Sequence, residues 1–447
     1  MKRWVIFSFL CFSSLYSADY WFSGTAAERH RKMVETLTPQ SPELPWWDRS
    51  YLTGNWNGGR SKLANDGVTI GTSYVSDILG NPIGGKARGF AFAGSFGLDI
   101  NIDIGKHTAL KGLYLYTSVV GRTGTNLSAD KIGNQYPVAQ VYGGQNVRLN
   151  ELYLKQVLFN EWLLMKGGRL NAGNDFLQSE LYYKFVNNGF DGNPISVFFN
   201  GPFTAYPNAT WGFYLQFRPY KRILAKVAAY IAQDDVSENK YHGFNWSLNG
   251  SDGTQLITEW SYQVNQLKED CGYPGNYRAG AFYYTESKGD KFLGGHYHGN
   301  WGYYFLIDQM IFRVGDPKLK RGLTPFVAVL FAPKDRNLLP FYISSGLVYK
   351  GLFPSRPNDY TNLGFIYGKY STDMKKAQEI ARRTHLMPVP TFGNQPQNFE
   401  SVVELNHWFQ INPWLIIVPD IQYVINPRGL GTIKDALVVG AQISITL

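Results

Sequence analysis

Seven charged side chains fall on the polar faces of alternating segments or at their ends: Asp99, Glu151, Lys155, Arg169, Arg218, Glu404 and Asp420. Set around a narrowed aqueous passage, such groups would hydrogen-bond uncharged, hydroxyl-rich solutes, with aromatic faces against the apolar side of a ring. Arginine suits this work because its rigid fork presents five donors. The ordinary alternative for each is a solvated charge or a salt bridge bracing a wall. Other chemistry finds little support. No G-x-S-x-G elbow and no phosphate-binding Gly-x-x-x-x-Gly-Lys loop is present, so no catalytic residue and no cofactor are expected. His296 and His298 stand on one face of an extended segment, but no third metal ligand lies near them in sequence, so no metal is expected. Asp234 and Asp235 are neighbours in a polar, Asn-containing stretch that reads as a turn.

The elements that must position these residues show period-two alternation. In 90–102, Phe90, Phe92, Phe96, Leu98, Ile100 and Ile102 share one face, while Ser95, Asp99 and Asn101 share the other. The end of the chain repeats this: Leu437, Val439, Ala441, Ile443, Ile445 and Leu447 oppose Gly440, Gln442, Ser444 and Thr446. Similar patterns occupy 211–218, 399–411 and 415–423. Further strands are expected at 68–78, 110–120, 147–158, 162–170, 223–231, 278–286, 300–313, 323–331, 341–350 and 361–370. These are about fifteen candidates. Single-chain bacterial barrels have even strand numbers, so the expectation is an all-β, sixteen-stranded antiparallel transmembrane barrel, a size that leaves an aqueous channel. Alternation alone does not say which face is inside; a soluble sandwich would alternate too.

Composition and the first residues favour the barrel. Aromatic residues are 16% and charged residues only 17% of 447, with 47 Gly, 30 Tyr and 29 Phe. Mean hydropathy is nonetheless slightly negative, as expected when only one face of each strand meets lipid. Lys2 and Arg3 followed by apolar 4–15 read as an export signal over 1–18, too short for a spanning helix. Its loss leaves 41 basic and 34 acidic residues. The basic side chains are scattered, so no nucleic-acid face is expected; lumen or lipid-phosphate contacts fit better. Cys271 is then the sole cysteine, which rules out an internal disulfide. Residues 19–50 read as a partly helical periplasmic extension, with Ala26–Leu37 as its helix and Pro39, Pro42 and Pro45 breaking it. Residues 51–447 form the barrel. Two stretches interrupt its rhythm: 172–210, a long loop of the kind that folds inward and narrows a pore, and 371–397, where 374–383 is helical in propensity and basic. Trp162, Trp301 and Trp414 near strand ends suit the interfacial girdle better than sugar stacking.

Three stretches resemble the carbohydrate-selective, OprB-like porins. The first is the run Leu52–Arg60 followed by Leu63 and Gly67. The second is Gly346–Asp359 with Gly364, Tyr367, Gly368 and Ser371. The third, and most specific, combines Glu404, Trp408, Pro413, Trp414, Pro419, Asp420, Gln422, Tyr423, Asn426 and Pro427. Weaker similarity lies at 148–176 and 197–219. The chain departs from the family at Leu447, where a Phe is usual, in its N-terminal extension, and around His296 and His298. The resemblance implies a sixteen-stranded outer-membrane barrel, monomeric or a homo-oligomer, in contact with outer-membrane lipids, that passes mono- and oligosaccharides by diffusion. Arg60 is expected to brace the N-terminal segment against the barrel. Three other readings stand beside it. One is an anion- or dicarboxylate-preferring general porin, favoured by the positive charge balance. Another is an outer-membrane barrel enzyme, which needs a Ser–His pair at the lipid edge and finds only His407 on an outward face. The last is a soluble periplasmic sugar-binding β protein.

Overall fold

The computed structural model describes residues 44–447 apart from 191, 268–269, 317–318 and 385–394. The signal segment 1–18, the helix expected at Ala26–Leu37 and most of the Pro-rich stretch after the 374–383 helix lie outside the described residues.

Among the described residues, sixteen long strands close into one antiparallel barrel. They are β1 (Val68–Gly85), β2 (Gly89–Asp103), β3 (Leu113–Gly124), β4 (Asn146–Leu158), β5 (Leu163–Leu170), β6 (Thr210–Tyr220), β7 (Ile223–Ile231), β8 (Thr254–Val264), β9 (Gly275–Asp290), β10 (His296–Gln309), β11 (Gly322–Phe331), β12 (Phe341–Lys350), β13 (Tyr360–Lys369), β14 (Phe399–Asn412), β15 (Leu415–Ile425) and β16 (Lys434–Thr446). A two-residue bridge, Phe312–Arg313, also pairs with the start of β11. Strand β1 pairs with both β2 and β16, so no edge is left open. Closure is obligatory where no water can satisfy an unpaired edge.

Fifteen of these strands match the segments expected from alternation; β8 was not among them. Its outward face (Leu256, Thr258, Trp260, Tyr262) includes a hydroxyl and its inward face includes Ile257, which blurs the period. The apolar face points outward: Phe90, Phe92, Phe213, Leu405 and Ile421 are exposed, while Asp99, Glu404 and Asp420 are buried within the barrel.

Turns at one end are short, as at 159–162, 221–222 and 413–414, and long segments gather at the other: 125–145, 171–209, 232–253 and 370–398. Short turns face the periplasm in such barrels. Helix α1 (Gly59–Asn65) sits at that end, and Leu52 N–H donates to Thr446 O at 2.9 Å. The residues around it form the first motif. Arg60 donates from Nε to Gly54 O, from Nη1 to Ile70 O, and from Nη2 to Thr53 Oγ1 and Leu447 O (3.1, 3.1, 3.1 and 2.9 Å). Arg60 thus ties helix, β1 and the end of the chain together. Trp414 is buried rather than in the girdle: its Nε1 donates to Trp46 O at 3.1 Å and its ring packs on Trp46. Trp162 and Trp301 are exposed. Helix α2 (Ser196–Phe199) is a single turn within 171–209, and helix α3 (Thr372–Thr384) forms where the basic segment was expected.

The segments 125–145 and 171–209 fold into the barrel. Leu127, Ile132, Tyr136, Phe176, Leu177, Tyr182, Phe185 and Phe190 are at most 2% exposed and pack inside the barrel on Tyr342, Ile366, Val402 and Val438. The inner wall is apolar where it buries this loop core rather than facing water. Removing such side chains from water stabilises at about 25 cal/mol per Å².

Candidate functional site

A loop core without regular structure leaves backbone N–H groups with no helical or sheet partner, and buried donors need acceptors. Carboxylates on the barrel wall supply them. Glu151 on β4 accepts from Asn171 N–H at 3.0 Å and Asn174 Nδ2 at 2.8 Å. Glu259 on β8 accepts from Leu177 N–H at 3.1 Å and Tyr304 OH at 3.1 Å. Glu404 on β14 accepts from Val186 N–H at 2.7 Å and Asn187 N–H at 3.0 Å. Glu400, two inward positions earlier on β14, takes Gln135 N–H at 2.8 Å and Tyr136 N–H at 2.9 Å, and Asp77 on β1 takes Val141 N–H at 3.3 Å. An ionised carboxylate makes such a bond charge-assisted and stronger than a neutral one. The segments 125–145 and 171–209 are thus held inward by the wall, and they also hold each other: Asn188 N–H donates to Pro137 O at 2.8 Å.

The third motif is the wall side of this clamp. Gln422 donates to Val138 O at 2.9 Å and to Asp420 Oδ2 at 2.7 Å, and accepts from Asn187 Nδ2 at 2.9 Å. Trp408 and Tyr360 flank the buried ammonium of Lys184, 4.2 and 4.3 Å from their ring centres.

The seven charged candidates therefore occupy different places. Glu151 and Glu404 anchor 171–209, and Asp420 supports Gln422 in the same network. Arg169 ends β5 and donates to Ala209 O at 2.6 Å and to Asn245 O, which fastens the far end of that loop to the 232–253 segment. Asp99 accepts from Tyr116 OH on the neighbouring strand. Arg218 donates to Gln263 at 2.8 Å near the periplasmic rim. Lys155 stands over the Tyr114 ring at 4.6 Å and, alone of the seven, lines a chamber described below.

Around the inward loops lie two polar chambers. The outer one, of about 250 Å³, is lined by Arg122, Gln140, Tyr142, Asn188, Tyr206 and Asn208 among others, with the Arg122 guanidinium 5.1 Å from the Tyr206 ring. The inner one, of about 300 Å³, opens on the periplasmic half of β4–β11 and is lined by Lys155, Lys166, Asp175, Lys226, Arg278 and Asp308 among others. Asn174 lines both. Three ion pairs stand at the inner chamber: Lys166 with Asp175 (2.5 Å), Lys226 with Glu259 (2.8 Å) and Arg278 with Asp308 (2.7 Å). Paired charges give a wall of fixed donors and acceptors with little net field, which suits neutral polar solutes.

Sequence reading missed Arg122, Lys166, Asn174, Lys226, Glu259, Arg278 and Asp308. Lys166 and Lys226 were findable, since each takes an inward position in a recognised strand; Lys166 pairs directly with Lys155. Glu259 lies on the unrecognised β8. Asn174 belongs to a loop whose path no periodicity encodes.

The features that bear on enzyme and metal readings have structural duties. His407 faces outward and contacts Thr361 Oγ1 through Nδ1 at 2.8 Å and Asp359 Oδ2 through Nε2 at 3.4 Å. That carboxylate also accepts from Arg356 and from Gln410 N–H at 3.0 Å, so the group pins the 351–359 turn to the wall. His296 is exposed beside Asp290 at 2.6 Å, and no group of three metal-ligating side chains occurs among the described residues.

Comparison with known proteins agrees with this architecture. The profile of the carbohydrate-selective porin, OprB family, matches residues 87–447. Porin B of Pseudomonas aeruginosa is 28% identical over 432 residues, covering 90% of this chain and 91% of that one. The high-pH structure of Pseudomonas putida OprB superposes with a TM-score of 0.83 at 26% identity, covering 90% of this chain and all of that one. The low-pH structure of the same protein gives 0.57 at 20% identity and speaks for the fold alone. With a closed barrel, inward loops and polar chambers in place, the chain belongs to the OprB family of carbohydrate-selective porins and is an outer-membrane channel for carbohydrates.

Proposed function

We propose that solute enters the outer chamber, passes Asn174 and leaves through the inner chamber by passive diffusion, with no chemistry performed on it. The observation that carries this reading is that the two chambers, separated by the inward loops, share Asn174 as a lining residue. In the outer chamber Tyr142 and Tyr206 offer ring faces to the apolar side of a sugar, while Arg122 and the amides of Asn188 and Asn208 take its hydroxyls. In the inner chamber Lys155 and the Lys166–Asp175 pair exchange hydrogen bonds with it on the way out. Of the original candidates, Lys155 is the one in reach of solute along this route. Glu151, Arg169 and Glu404 act by holding the loops that shape it. Residues 1–18 direct export and 19–50 precede the barrel on the periplasmic side. One chain forms one complete channel, whatever its oligomeric state.

Single-channel conductance in a planar bilayer tests this, with graded glucose, maltooligosaccharides and small dicarboxylates. The expected result is ohmic conductance that falls saturably with sugar. Anion selectivity with indifference to sugar would move the assignment to an anion-preferring general porin. Asn174→Trp is expected to lower conductance on the order of three-fold, because a constriction sets the resistance of a pore. An unchanged conductance in that variant would place the passage elsewhere.

A further inference from the structure

The membrane face of the barrel carries a furrow on the periplasmic half of β7–β10. Its floor is Ala279 on β9, with Ala281 two residues further along the same outward face. Trp260 and Tyr262 of β8 form one side, Phe305 and Ile307 of β10 the other, and Tyr277 and Ile223 close the lower end. The register makes this a continuous feature: Ile223, Tyr262, Tyr277 and Ile307 stand side by side across four strands, and Ala225, Trp260, Ala279 and Phe305 form the row above. Trp260 packs edge-on against Phe217, 6.1 Å away on the β6 side, so it leans off Ala279. The resulting cavity is about 370 Å³, walled by apolar side chains and open to the membrane. It runs along β9, and strands cross the bilayer at roughly 35–45°, so its long axis is within reach of a lipid tail.

The rim below it is basic. The turns 221–222, 265–274 and 310–321 carry Lys221, Arg222, Arg313, Lys320 and Arg321 against Asp270 and Asp316 among the described residues, with Arg222 paired to Asp270 at 2.6 Å. Lys221 is exposed and stands two residues, roughly 7 Å of chain, before Ile223 at the furrow's mouth.

We propose that this furrow holds one acyl chain of a glycerophospholipid of the periplasmic leaflet, with its phosphate against Lys221 on the basic rim. Apolar shape, the membrane-facing position and charge at the correct end select that occupant: a second copy of the chain would not require the basic rim, and a soluble partner would not reach the furrow.

Native mass spectrometry of the detergent-purified chain, titrated with dioleoyl-phosphatidylglycerol and dioleoyl-phosphatidylethanolamine, tests this. The wild type is expected to hold one lipid per chain through detergent exchange. Ala279→Trp fills the furrow and is expected to weaken retention about ten-fold, and Ala279→Leu, a milder filling, by about three-fold. Lys221→Glu is expected to weaken phosphatidylglycerol retention about three-fold. Leu405→Trp, on the outward face of β14, is expected to behave as wild type. All variants should keep wild-type conductance, which shows that they are folded. Equal retention in both Ala279 variants and wild type would overturn the proposal. So would a scatter of lipid adducts with no single preferred one, or loss in Ala279→Trp of a dimer or trimer in place of a lipid.

Discussion

Replacing Glu404 with alanine is expected to cost about 4 kcal/mol of stability and to turn a narrow, sugar-sensitive pore into a wider, insensitive one. Glu404 is fully buried and its two oxygens take the Val186 and Asn187 amides as well as Asn406 Nδ2 at 2.7 Å. Deleting the carboxylate orphans two buried N–H groups, each worth about 1–3 kcal/mol when left unsatisfied. The consequence extends beyond one loop. Gln140 N–H donates to Val186 O at 3.1 Å, so a displaced 171–209 segment pulls on 125–145 as well. With both loops loosened, single-channel conductance should rise about two-fold or more and saturable block by maltooligosaccharides should weaken. Glu404→Gln, which keeps one acceptor oxygen but turns an N–H toward a donor, should fall between wild type and alanine on both measures. Urea unfolding in detergent micelles gives the first quantity and bilayer recording the second. A folded Glu404→Ala variant with wild-type conductance and block would show that the inward loop stands without its wall carboxylate.

Arg60→Ala is expected to be as damaging to stability, by roughly 3–4 kcal/mol, yet silent in conductance. The side chain makes four hydrogen bonds and lies between the rings of Tyr51 and Trp56, 3.9 and 4.1 Å from their centres. A guanidinium bond contributes about 1.5–3 kcal/mol at most when buried, and a cation–π contact about 0.5–2; water entering the rim recovers part of the loss. Because Arg60 joins α1 to β1 and to Leu447, its removal frees the closing seam of the barrel at the periplasmic end, away from both chambers. Arg60→Lys keeps the charge but not the planar fork and should restore less than half. The midpoint of heat-induced unfolding on detergent gels reads the stability. A conductance change in Arg60→Ala matching that of Glu404→Ala would mean that the seam and the inward loops are coupled.

How much was legible in the sequence follows from what periodicity encodes. A strand that meets lipid on one face and polar matter on the other carries its own signature, so 90–102 and 399–411 announce their faces and nearly their bounds. Strand β8 lost that signature because Ile257 packs on the loop core and Thr258 faces out. The three motifs marked family and fold, and Arg60 was readable as a brace from its place in the first of them. The site was legible only in part. Asp99, Glu151, Glu404 and Asp420 were correctly placed on inward faces, but an inward carboxylate looks the same in sequence whether it meets solute or a backbone amide.

The sequence by itself determined the all-β class, fifteen of the sixteen strands and the helix near 374–383, because those depend on local alternation and propensity; the even number sixteen came from the rule that single-chain bacterial barrels close with even strand counts. Only the tertiary structure decided that the apolar faces point outward, that 125–145 and 171–209 fold into the lumen, and that Asn174 lines both chambers. The physical reason is that Glu404 meets Val186 and Asn187 across more than two hundred residues of chain, a contact that no local pattern can carry.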